Sequence, residues 1–183
     1  MQTEEKDIIQ RCREGDKTAF RVVVMRYQRM LLSLALKMLA DEEDAKDVVQ
    51  EAFIKAWVNM HLYDERSRLS TWLYTITSHL CLDRLKVSKR QQPLPEDEAF
   101  IRQYLSESDS QRQLENKDFV SLVRVIAQGL SEKQQLVFTL SQFEGLDSSE
   151  IEVIAGMDAT QVKSNLYYAK KTIRERLTKL GYV

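Results

Sequence analysis

Between Gly15 and Gly129 the chain has no glycine, and its only two prolines, Pro93 and Pro95, stand almost side by side. A β-rich fold needs a glycine-, proline- or asparagine-type turn about every 8–12 residues. So long a stretch without glycine and with its prolines confined to one place leaves helices as the main regular structure available to it. The sequence therefore predicts an all-α protein.

At 183 residues, with 43% hydrophobic and 30% charged residues, the chain has room for one medium domain or two small ones with compact cores. The 27 basic and 28 acidic side chains nearly cancel. That balance excludes a uniformly basic nucleic-acid binder but not a local basic face, because binding depends on where the charge sits. The N-terminus lacks a basic start followed by an apolar run, so no secretory signal is expected. The richest apolar stretch, Met30 to Ala40, is broken by Ser33 and Lys37, and membrane insertion is not expected. Cys12 and Cys81 are far apart and lack the CxxC spacing of zinc or redox sites. They read as small buried residues of a cytoplasmic, reducing compartment. The two histidines, His61 and His79, have no partner at metal-ligand spacing, and no glycine-rich phosphate loop or nucleophile elbow occurs. The expectation is a chain without metal, cofactor or catalytic residues, and not an enzyme.

Composition separates three parts. Residues 4–90 carry helical patterns. Residues 91–114 hold both prolines, the acids Glu96, Asp97, Glu98, Glu107 and Asp109, and alternating serines, and read as a flexible linker. Residues 115–183 are helical again. In the first part Asp16 is a candidate N-cap for a helix whose apolar positions run from Phe20 to Leu39. The acidic run Asp41–Asp44 opens the next helix, where acids suit the helix dipole. There Ala45, Val48, Val49, Ala52, Phe53, Ala56 and Trp57 complete a core stripe. The opposite face carries Asp47, Gln50, Glu51, Ile54 and Val58. Two aligned apolar residues among carboxylates and an amide, on the side away from the core, suggest a partner-binding strip.

A polar loop, Tyr63 to Arg68, follows, and then a helix with Ser70 or Thr71 as candidate cap. Trp72 reads as core. The basic end of that helix, Arg84, Lys86, Lys89 and Arg90, is a candidate phosphate contact, and Tyr63 and Tyr74 are expected to be exposed for stacking on unpaired bases. Near the C-terminus, two short helices meet at Gly156-Met157-Asp158, the pattern of a helix-turn-helix. Ser148 or Ser149 is expected to cap the first. The second presents Thr160, Gln161, Ser164, Tyr168 and Lys171 opposite its core stripe, flanked by Lys163 and Asn165. Hydroxyl and amide side chains at the start of such a helix suit base-edge reading. From Ala159 to Lys179 six cations stand against the single acid Glu175, a basic footprint hidden by the neutral total.

Taken together, these residues resemble a bacterial sigma factor of the sigma-70 family, in its short extracytoplasmic-function (ECF) form. The resemblance rests on Gly15-Asp16, Ala19-Phe20, Tyr27, the run from Asp44 to Trp57, Thr71 to Ile76, Asp83-Arg84 and Lys89-Arg90. In the last part it rests on Leu130 to Lys133, Glu144 to Leu146, Glu150-Ile151 and Val162 to Ser164. It implies two small helical domains, region 2 and region 4, joined by the acidic linker, in a chain that binds core RNA polymerase and directs promoter recognition. Asp47, Gln50, Glu51 and Ile54 match the surface for the clamp of the β′ subunit. Tyr63, Arg66, Ser67, Arg68, Tyr74, His79, Arg84 and Lys86 fall in the part that captures and opens the minus-10 element. Thr160, Gln161, Lys163, Ser164, Asn165, Tyr168 and Lys171 fall in the reader of the minus-35 element, which also sits on the β flap. The family often employs an inhibitory anti-sigma partner. His79 stands where the family often has Asn, Asn165 replaces a frequent Arg, and Glu152 replaces a small residue. These departures leave the promoter sequence open. The competing reading is a stand-alone helix-turn-helix regulator, which would bind duplex DNA tightly without polymerase.

Overall fold

A computed structural model describes residues 2–91 and 115–182, with side chains for 4–87 and 119–182. Among the described residues there are helices and turns and no strand. The chain divides into two compact units, Met1–Asp83 and Arg84–Val183. The helices in chain order are α1 (Gln2–Arg13), α2 (Lys17–Leu39), α3 (Glu42–Val58) and α4 (Leu69–Gln91), with a single 3₁₀ turn at Met60–Leu62. After these come α5 (Glu115–Gln128), α6 (Glu132–Phe138), a π turn (Thr139–Phe143), α7 (Ser148–Ala155) and α8 (Ala159–Lys179). The division between units falls within α4. Apart from Gln91, the segment expected as linker, 91–114, lies outside the described residues.

Side-chain caps fix where the helices begin. Asp16 accepts the N–H groups of Thr18 and Ala19 at 2.8 and 3.2 Å, which starts α2. Asp41 accepts that of Asp44 at 2.8 Å and starts α3. Between them the chain turns without glycine: Ala40 adopts φ 56°, ψ 10°. A non-glycine residue in this left-handed region costs roughly 1–2 kcal/mol. The α2–α3 packing outweighs that cost. Val23, Leu31, Leu34, Ala35 and Met38 are buried on α2, and Ala45, Val48, Ala52 and Ala56 on α3. The small alanines let the two helices approach closely, and Phe20 meets Trp57 at 5.0 Å and Phe53 edge-on at 6.3 Å. Both cysteines are buried, and burial pushes their thiols up, to about 11 for Cys12 and about 12 for Cys81.

Two starts differ from expectation. The helix α4 begins at Leu69, so Ser70 and Thr71 lie inside its first turn instead of capping it. The cap of α7 is Asp147, which accepts the Glu150 N–H at 2.9 Å. Its charged oxygen is a stronger acceptor than either serine hydroxyl. Ser149 instead donates to it at 2.7 Å.

In the second unit Leu122, Ile126 and Leu130 pack with Phe138, Ala169, Ile173 and Leu177 into one core. Gly156 ends α7 at φ 61°, the conformation the tight turn requires, and Asp158 caps α8.

Candidate functional site

The outer face of α3 is as the spacing predicts. Asp47, Gln50, Ile54 and Val58 are exposed and Glu51 is half-buried, paired to Lys55 at 3.1 Å. Ile54 keeps 56% of its surface and Val58 62%. Val49 and Trp57, read as part of the core stripe, are only half-buried. The structure adds a groove that periodicity did not reveal. A cavity of about 680 Å³ is lined by Phe20 and Val24 of α2 and Phe53 and Trp57 of α3, with Gln50 and Ile54 also on it. The exposed strip thus continues into an apolar trough.

The loop after α3 is a folded turn. The Asp64 carboxylate accepts the Arg66 N–H at 2.9 Å and the Arg66 guanidinium at 2.6 Å. The pairing with Arg66 holds that carboxyl below its ordinary range. The Ser67 N–H donates to the Asp64 carbonyl at 3.1 Å. Arg66 and Arg68 are exposed, Ser67 and Arg84 half-buried, and His79 and Lys86 exposed.

Tyr63 and Tyr74 correct the expectation of exposed stacking rings: each keeps only 5% of its surface. The Tyr63 hydroxyl donates to the Ser67 carbonyl at 2.6 Å, and its ring packs on Trp72 at 5.2 Å. Burial pushes the phenol up to about 12. Tyr74 is covered because α4 is buried over a wide arc that includes Leu73, Thr77, Ser78 and Cys81. Trp72, read as core, is only half-buried. It lines a cavity of about 280 Å³ with apolar Leu62 and Ile76 and polar Asn59, His79 and Asp83.

On α8, Thr160, Gln161, Lys163, Ser164, Tyr168 and Lys171 are all exposed. Asn165, on the flank of that face, is half-buried, and its amide donates to the Gln161 carbonyl at 2.8 Å. Lys171 lies 3.9 Å from Glu175. Tyr167, not anticipated, keeps 63% of its surface and stands edge-on to Tyr168 at 5.4 Å. The signal for it was the cations Lys163 and Lys170 on either side at helical spacing. Among the described residues no group of His, Cys, Asp or Glu could hold a metal ion, and no helix is long and apolar enough to cross a membrane.

An acid-and-apolar helix face, a polar loop beside a half-open cavity, and a helix-turn-helix with a basic second helix occur here in that order. Residues 23–91 match the family described as Sigma-70 region 2, and residues 122–173 the one described as Sigma-70, region 4. The chain belongs to the sigma-70 family. It is 31% identical to the RNA polymerase sigma-H factor of Pseudomonas aeruginosa over 98% of each chain. It is 29% identical to the ECF RNA polymerase sigma factor SigW of Bacillus subtilis, covering 96% of this chain and 97% of that one. A solved structure of the sigma factor RpoE with the anti-sigma factor NepR, from Bartonella quintana, shares the fold. Its TM-score is 0.63 at 18% identity, over 87% of this chain and 96% of that one. The protein is thus an ECF-type sigma factor, which binds core RNA polymerase and directs promoter recognition and transcription initiation. Its part in transcription is non-enzymatic. Matches to both regions disfavour the stand-alone regulator.

Proposed function

We propose a division of these tasks among the surfaces described above. Asp47, Gln50, Glu51 and Ile54 on α3 dock on the clamp of the polymerase β′ subunit. Arg66, Ser67, Arg68, His79, Arg84 and Lys86 capture the opened minus-10 strand. Unstacking a base costs a few kcal/mol, and the half-open cavity at Trp72 and His79 offers a place that offsets this. Tyr63 and Tyr74 serve as scaffold for that surface. Thr160, Gln161, Lys163, Ser164, Tyr168 and Lys171 read the minus-35 element, and Asn165 supports their helix while the same unit rests on the β flap. Residues 4–90 and 115–183 act as the two readers, with 91–114 as the acidic linker. Promoter elements two helical turns apart lie about 70 Å from each other, and a 24-residue linker extends to about 80 Å. The protein acts in the cytoplasm, and an anti-sigma partner holds it inactive.

The observation that carries this reading is the pair Ile54 and Val58, exposed among carboxylates on a helix that buries Ala45, Val48, Ala52, Phe53 and Ala56. Bound to polymerase, both readers act on one DNA, and the effective concentration of the second contact rises. The test is co-elution of the chain with bacterial core polymerase on a sizing column, beside an Asp47→Arg/Ile54→Asp variant. Co-elution of the parent, lost in the variant, is expected. Undiminished co-elution of the variant would move the docking surface elsewhere.

A further inference from the structure

We infer that Arg13, the last residue of α1, is a positioning residue for promoter opening: it holds the loop after α3 in the conformation that presents Arg66 and Arg68 to DNA. This rests on the reading above, that the loop meets the minus-10 strand. The two ends of the guanidinium bind different parts of the loop. Nη1 donates to the Glu65 carboxylate at 2.8 Å and Nη2 to the Tyr63 carbonyl at 2.7 Å. Both are short charge-assisted bonds from one planar fork, reaching 52 and 50 residues along the chain. The side chain is half-buried, where such a pair is screened less than at an open surface.

From Tyr63 the constraint passes on. The Tyr63 hydroxyl holds the Ser67 carbonyl at 2.6 Å, and Asp64 holds Arg66. Arg13 therefore fixes the entry of the turn, and the turn's own bonds fix its exit. A loop ordered in advance spares the ordering entropy that a loose loop loses on binding DNA. Arg13 itself faces the protein, so it adds no phosphate contact. A lysine cannot replace it fully, because a single ammonium lacks the fork that spans both acceptors.

The experiment uses holoenzyme assembled from the full chain and core polymerase, on a promoter that the parent holoenzyme transcribes. Opening is followed by 2-aminopurine fluorescence in the minus-10 segment. Arg13→Ala should slow opening roughly tenfold, leave polymerase affinity intact, and leave the salt slope of promoter binding unchanged. Arg13→Lys should recover part of the rate. Glu65→Gln, which keeps the Tyr63 bond, should lose less than Arg13→Ala. Arg68→Ala, the control for the loop, should slow opening and reduce the salt slope by about one. Parent-like opening in Arg13→Ala beside an impaired Arg68→Ala would overturn the proposal and spare the reading of the loop. Parent-like opening in both would overturn that reading as well. A lowered salt slope in Arg13→Ala would make it a DNA contact, and lost polymerase binding would make it a folding residue; either result also rejects the positioning role.

Discussion

Gln161 and Asp158 hold each other at the start of α8: the Asp158 carboxylate accepts the Gln161 N–H at 2.8 Å, and the Gln161 side-chain oxygen accepts the Asp158 N–H at 3.0 Å. This reciprocal cap gives the exposed glutamine two roles, because its amide nitrogen still points a donor outward from a helix proposed to read bases. Substitutions can separate the two. Gln161→Glu keeps the reciprocal cap but removes the donor. It should leave thermal stability unchanged while altering discrimination at one minus-35 base by about 1–3 kcal/mol. Gln161→Ala should change both unfolding temperature and discrimination. Thermal melts together with transcription from single-base promoter variants would check the pair. Equal transcription of every variant by Gln161→Glu relative to the parent would remove Gln161 from the reading face.

Lys171 is exposed nearly three turns further on, near Glu175. Replacing it with alanine should weaken promoter binding about equally for all sequences and lower the slope of log affinity against log salt by about one. Binding titrations of the holoenzyme at several salt concentrations measure this. A sequence-selective loss would instead make Lys171 a base contact.

Ala40 occupies a left-handed turn that favours glycine. Ala40→Gly should relieve the strain, and the added freedom of the unfolded chain should offset part of the gain. The net expectation is stabilisation of up to about 1 kcal/mol, read as a higher denaturant midpoint at unchanged slope. A lower midpoint would show that the methyl group contributes packing worth more than the strain.

Asp16 caps α2, and its carboxyl is held below the ordinary carboxylate range, chiefly by the Arg11 side chain and then by the Ala19 N–H. A carboxyl depressed by folding contributes stability above its unfolded value, near pH 4. That contribution shrinks as pH falls below this value and vanishes once pH passes beneath the folded one. Asp16→Asn keeps a cap without the titration, so its stability loss relative to the parent should narrow as pH falls. Melting curves between neutral and acid pH would show the two converging, whereas a constant gap would mean that the charge is irrelevant.

Much of this was legible from the residues because local chemistry decided it. The missing glycines announced helices, Asp16 announced a start, Gly156 a turn, and the spacing of Ala45, Val48, Ala52, Phe53 and Ala56 a core face that left Ile54 outside. What escaped depended on partners distant in sequence. Tyr63 looked like a loop aromatic free to stack, but its hydroxyl finds the Ser67 carbonyl and its ring finds Trp72. Arg13 carried no signal in the sequence, because only folding brings Tyr63 and Glu65 to it. The trough beside Ile54 needs two helices to exist, so the periodicity of one could not disclose it. Serine against aspartate at the start of α7 was a contest of acceptor strength among neighbours, and pattern alone does not rank those.

The wide turn Thr139–Phe143 has a consequence for how a chain like this tolerates length changes. The Glu144 N–H bonds back five residues to the Thr139 carbonyl at 3.0 Å, one more than a regular helix allows. At about 100° per residue, Phe138 and Phe143 would face apart in an unbroken α-helix, yet here their rings meet edge-on at 5.5 Å. The turn therefore stores one surplus residue inside a helix. Deleting a residue there would return an ordinary helical turn and leave the two phenylalanines four apart, still on one face, so a length change of one residue at this turn spares the ring contact.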